Sequence, residues 1–138
     1  MPYTAAFLLK LYAAMAAVFV LIDLTWLGVV ARGFYARHLG PLMRPQANWT
    51  AAILFYLIYL VAVLVLCVLP ALEKGSLARA VGTGALFGLA AYAAFDLTSL
   101  ALFNGFSVTV VAVDLLWGVV LTGSVAAAGF RAAQLLQG

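Results

Sequence analysis

Three aspartates set inside apolar runs are the residues of this chain best suited to chemistry. Asp23 lies in Ile22-Asp23-Leu24-Thr25-Trp26-Leu27-Gly28, Asp96 in Phe95-Asp96-Leu97-Thr98, and Asp114 in Val113-Asp114-Leu115-Leu116-Trp117-Gly118. The chain has 4 acidic residues in all, so most of its negative charge sits where hydrocarbon is expected. An ionisable group at such a position costs roughly 3 kcal/mol on insertion scales, and it usually faces a protein interior or a wet cavity. A buried carboxylate can bind a proton or a cation, or act as general acid or base. Three ionised carboxylates close together in a low dielectric need compensation: at least one carries a proton, or a cation lies between them. Protonated aspartates that only hydrogen-bond helices together are the bland alternative.

The elements that position them are helices long enough to cross a membrane. With 68% hydrophobic and 8% charged residues, the composition cannot be hidden in a soluble core of this size. The pattern predicts one all-α domain over 1–138, a polytopic membrane protein with four transmembrane helices and both termini on one side. The spans are expected at about 5–31, 50–70, 77–103 and 107–130, each of roughly the length that crosses ~30 Å of hydrocarbon. The first apolar run is too long for a signal-peptide core and lacks a clear cleavage pattern, so it is expected to remain as the first span. Residues 32–47 carry three Arg, Phe34, Tyr35 and two Pro, which predicts an interfacial segment with Phe34 and Tyr35 dipped toward the acyl chains. Asn48 and Ser107 are N-cap candidates, Glu73-Lys74-Gly75-Ser76 and Asn104-Gly105 are turns, and Pro70 marks the expected end of the second span. Ala80, Gly84 and Gly88 recur every four residues, the spacing of small-residue packing against a neighbouring helix.

Depth along the helices ties the aspartates together. Asp23 precedes Arg32 by nine residues, Asp96 precedes Asn104 by eight, and Asp114 follows Phe106 by eight. All three then lie roughly 12 Å below the face that carries the first and third loops. Tyr56, eight residues beyond Asn48, reaches the same depth. Trp26 and Trp117 stand one turn from Asp23 and Asp114, where an indole can donate its N–H to a carboxylate and offer a π-face to a ligand. The candidate ligand- or proton-binding set is therefore Asp23, Trp26, Tyr56, Asp96, Thr98, Asp114 and Trp117. Arg32, Arg37 and Arg44 are candidates for lipid headgroups, and His38 reads as an interfacial residue.

Other functions find little support. Seven Lys and Arg scattered between spans form no basic stripe, so nucleic acid is not a partner, and membrane lipids are. Cys67 stands alone, which excludes an internal disulfide and a thiolate metal cluster. Three Asp can hold a divalent cation with waters, but the pattern is not specific, and neither a metal nor a cofactor is called for. No phosphate loop or catalytic triad is present.

The strings Asp23-Leu24-Thr25-Trp26-Leu27-Gly28, Gly33-Phe34-Tyr35, Asn48-Trp49, Phe95-Asp96-Leu97-Thr98 and Asp114-Leu115-Leu116-Trp117-Gly118 resemble the DUF2177 family of bacterial membrane proteins, over about Leu9 to Gly129. The resemblance implies a four-span protein of the bacterial inner membrane. It implies no activity, and it carries no catalytic residue across. His38 is a mild departure, where less constrained polar residues are expected.

The functional expectation is a small integral membrane protein whose three-aspartate site binds or transports a small ligand, a cation or a proton. The alternatives are a lipid-modifying membrane enzyme and an accessory subunit of a larger membrane complex; whether the chain is an enzyme, and whether it forms a homodimer, stay open. Lys10, Lys74, Arg79 and Arg131 outnumber Arg32, Arg37 and Arg44 by four to three, which leans the termini toward the cytoplasm.

Overall fold

The computed structural model describes residues 3–31, 33–44 and 46–137. Arg32 and Pro45 lie outside the described residues, and the headgroup role expected of Arg32 lies outside them too.

Four helices are long and apolar enough to cross a membrane: Ala5–Val29, Trp49–Lys74, Leu77–Leu102 and Val108–Gln137. Each is apolar nearly all round, as a span facing both lipid and neighbours must be. The chain is thus an all-α polytopic membrane protein.

The first span is the α-helix α1 (Ala5–Thr25), continued by a π-helical turn at Trp26–Val30. Thr4 caps it by accepting the Phe7 amide at 3.1 Å. A short helix α2 (Phe34–Leu39) and a 3₁₀ turn (Gly40–Leu42) form the first connection. The second span begins as α3 (Trp49–Val63), with Asn48 Oδ1 accepting the Ala51 amide as the cap residue should. It passes through a second π turn at Leu64–Val68 and ends as α4 (Leu69–Lys74). Pro70 therefore does not end the span as its sequence suggests. A proline lacks the N–H that an α-helix interior needs; here it falls just after the widened turn, at the start of α4, where the ladder already shifts register. Gly75, at φ 62°, closes the helix, and the Ser76 amide donates to the Ala71 carbonyl in the manner of a Schellman cap. Ser76 then caps α5 (Leu77–Leu102), and Ser107 Oγ accepts the Val110 amide at the start of α6 (Val108–Gln137). The fourth span thus carries its short tail as unbroken helix beyond the expected 130.

Helices α5 and α6 form the tightest pair, and their sequences explain it. A Cβ added to Gly84 would stand 2.7 Å from Ala126 Cβ and 2.9 Å from the Thr122 carbonyl oxygen, and one added to Gly88 would overlap the Gly118 carbonyl oxygen. Ala80, Gly84 and Gly88 are all buried on this face, so the small-residue stripe packs one helix on its neighbour. Helix α1 leans on α6, with Met15 beside Gly129, and it buries Leu11, Met15 and Phe19, a ridge of four-residue steps that Asp23 continues. The second span behaves differently along its length. Its π turn and α4 pack on α5 and α6, whereas the backbone of α3 stays away from them. The register change at Leu64–Val68 separates the two behaviours, as expected of a π bulge inside a helix.

Candidate functional site

The divergence of α3 leaves a cavity of about 410 Å³ among the four spans, toward the end that carries the first and third loops. Asp23, Asp96 and Asp114 all line it, and all three are buried, Asp96 to 0% exposure. Each sits where its helix's interior ridge continues. Asp23 follows Leu11, Met15 and Phe19; Asp96 follows Ala80, Gly84, Gly88 and Tyr92; Asp114 precedes Gly118 and Thr122. Four-residue spacing keeps such positions on one helix face.

Aromatic side chains make the walls and the floor. Trp26 and Trp117 stack face to face, with ring centroids 4.4 Å apart and planes 12° from parallel, and both border the cavity. A shallower apolar groove lies against the same two indoles, lined also by Leu21, Ile22 and Thr25. Below the carboxylates, Phe19 packs on Tyr56 and Tyr59 at centroid distances of 5.0 and 5.4 Å. Tyr59 then hydrogen-bonds Thr122, the two hydroxyl oxygens 2.6 Å apart. These long side chains bridge the gap that the α3 backbone leaves, and they divide the cavity from the packed half of the bundle.

A hydrogen-bonded chain closes the loop side. The Trp26 Nε1–H donates to the Tyr35 hydroxyl at 3.1 Å, and Tyr35 donates in turn to Asp114 Oδ1 at 2.5 Å. Burial, and then the Asp114 carboxylate that its hydroxyl touches, hold the Tyr35 phenol above its ordinary value of 10.0. Other polar groups are left over. Neither oxygen of Asp96 has a hydrogen-bond partner among the described residues, and neither does Trp117 Nε1. The Asp114 carboxyl stands close enough to share a proton with Asp96, and Tyr56 and Trp117 lie beside Asp23, although the Trp117 N–H does not reach hydrogen-bonding geometry. No Lys, Arg or His among the described residues lines the cavity.

The sequence-derived set divides cleanly. Asp23, Trp26, Tyr56, Asp96, Asp114 and Trp117 border one cavity. Thr98 does not: it is exposed, and its hydroxyl turns back to the Ala94 carbonyl of its own helix. Two residues beyond Asp96, it falls on the far side of α5. Arg37 and Arg44 are exposed on the loop, away from the carboxylates, and His38 rests on the Phe34 ring with Nδ1 2.9 Å from the Phe34 carbonyl oxygen. Tyr35 corrects the expectation that it dips toward lipid. Its hydroxyl turns inward, because Asp114 and Trp26 offer partners that acyl chains lack. Tyr92, Phe55 and Phe95 also line the cavity. Tyr92 is within reach of the sequence, one turn before Asp96 on the same face; Tyr35, in a loop without periodicity, is not.

The three carboxylates are not disposed to hold a metal ion together, and no other His, Cys, Asp or Glu group among the described residues is. The arrangement can instead accept hydrogen bonds or positive charge from something that enters a space walled by aromatic rings.

An all-α membrane bundle with buried aspartates is the class these features define. Within it, the family model described as "Predicted membrane protein (DUF2177)" matches residues 8–131, and the chain belongs to that family. Neither the curated proteins nor the solved structures return a match.

Proposed function

We propose that the protein is a small ligand-binding protein of the bacterial inner membrane, which takes a small molecule or cation into the three-aspartate cavity. One observation carries this reading: the Asp96 carboxyl is fully buried at the cavity wall, no N–H or hydroxyl of the described residues donates to it, and the Asp114 carboxyl is the group placed to share a proton with it. Two carboxyls on adjoining helices stand together only with a proton shared between them or a cation bound beside them. Such a pair is a costly way to join helices, and its place at the wall of a cavity supports a partner that comes and goes. The cavity's size supports the reading, since small-molecule sites begin at about 300 Å³. The termini are cytoplasmic in this proposal, on the side that Lys10, Lys74, Arg79 and Arg131 favour.

The test is thermal unfolding of the purified protein in detergent, against a panel of small cationic, neutral and anionic compounds and monovalent ions. At least one class is expected to raise the midpoint of the wild type and not that of Asp96→Asn. If no compound raises it and Asp96→Asn unfolds at a markedly lower temperature, Asp96 is helix glue and the proposal fails.

A further inference from the structure

Resting on the reading that the cavity is a ligand site, we infer that its ligand is an organic monocation: an amine or quaternary ammonium group on a compact apolar or aromatic body. The aspartates can supply negative charge to the cavity when ionised, and no Lys, Arg or His among the described lining residues would offset it. The compensating charge must therefore come from a proton or from the ligand. The rest of the wall argues for a ligand that is more than an ion. Trp26, Phe55, Tyr92, Phe95 and Trp117 border the space, and aromatic rings attract ammonium groups while apolar surface holds their substituents. A hydrated inorganic ion would leave these rings without a matching partner. It would also need oxygen ligands converging on one point, and the three carboxylates do not converge in that way. A volume of about 410 Å³ holds many times the ≈ 30 Å³ that one water occupies in the liquid, which suits a body of about one ring and a substituted nitrogen.

The cationic head belongs beside the Asp96–Asp114 pair, where Asp96, to which no N–H or hydroxyl of the described residues donates, can accept from an N–H donor or face a quaternary nitrogen. Asp114 is already engaged by Tyr35, and Asp23 lies beside Tyr56 and Trp117. The stacked indoles of Trp26 and Trp117 border the cavity and provide the signal for detecting occupancy.

The experiment uses the full chain in zwitterionic lipid nanodiscs, with Trp49→Phe to remove the one exposed indole outside the cavity. Tryptophan emission is followed during titration with benzyltrimethylammonium, with its uncharged carbon isostere neopentylbenzene, and with benzylsulfonate. Bare nanodiscs with a soluble tryptophan derivative correct for partitioning and direct quenching. The expected result is a saturable change with the ammonium compound, binding roughly tenfold or more weaker for the isostere, and none for the anion. Asp96→Asn should bring the ammonium compound down to the affinity of the isostere, and Asp114→Asn serves as the second carboxylate variant if Asp96→Asn does not fold. Equal affinity for cation and isostere, or preference for the anion, overturns the ligand class while leaving a ligand site in place. No saturable response to any of the three probes overturns both this inference and the reading it rests on.

Discussion

The two ends of this bundle are built on opposite rules. Around Gly84, Gly88, Gly118 and Gly129 the helices approach so closely that an added Cβ would meet backbone or side-chain atoms within about 3 Å. Toward the first and third loops, α3 holds its backbone away from α5 and α6, and three carboxylates face a cavity. Inside lipid, hydrophobic burial gives little drive for helices to associate, so close van der Waals packing has to supply it. The packed end does this, and in doing so holds together an end that packs poorly and contains unsatisfied polar groups. Mutations should therefore separate into those that break the bundle and those that alter the cavity.

The largest effect is expected at the packed end. Gly88→Leu has to push α5 from α6 at the Gly118 carbonyl, and overpacking of this kind costs about 1–3 kcal/mol or more. The folded fraction after purification, judged by gel filtration and helical circular dichroism, should fall sharply. Gly28→Leu, the same change where an added Cβ meets nothing within 4 Å, should leave the unfolding midpoint close to wild type. Next comes the floor between the two halves. Tyr59→Phe leaves the buried Thr122 hydroxyl without its 2.6 Å partner, a loss of roughly 1–3 kcal/mol that a lowered midpoint would register.

Tyr35→Phe should cost less, about 1 kcal/mol, because the loop side is only partly buried. It also has a pH signature. The folded state holds the Tyr35 proton more tightly than the unfolded chain does, since its phenol lies above 10.0. That contribution is fully present below about pH 10 and declines as pH rises beyond it. The stability gap between wild type and Tyr35→Phe should therefore be constant from pH 7 to 9 and shrink above 10, as followed by unfolding at each pH. The smallest stability effect belongs to Asp96→Asn. Asparagine keeps the size of the side chain, can donate to the Asp114 carboxylate and removes a buried ionisable group, so the midpoint should stay unchanged or rise slightly, whereas a drop as large as that of Tyr59→Phe would erase the distinction between the two ends.

Much of this division can be read from the residues. A charge inside an apolar run is conspicuous, and equal distances from the loops are enough to put Asp23, Asp96 and Asp114 in one layer. The glycine stripe on α5 is equally plain. The shape of the second span is not, because Leu64-Val65-Leu66-Cys67-Val68 carries no polar residue to reveal a change of register, and Pro70 reads as a terminus when a π turn in fact accommodates it. Thr98 shows the limit of proximity in sequence: two positions from Asp96 is close along the chain and opposite around the helix. Tyr35 enters the site through tertiary hydrogen bonds that no local pattern encodes.

The central claim is that one end of the bundle is an accessible, electronegative cavity and the other is closed. Ala91 lines the cavity, and the single native cysteine, Cys67, is 1% exposed in the packed core, so the chain supplies its own control. Rates of modification of Ala91→Cys by cationic and anionic methanethiosulfonate reagents, read by mass spectrometry against wild type, test both halves at once. The account predicts that Ala91→Cys reacts, faster with the cationic reagent by roughly tenfold, while Cys67 stays unmodified. An unreactive Ala91→Cys, equal rates with both reagents, or a Cys67 that reacts as readily would contradict it.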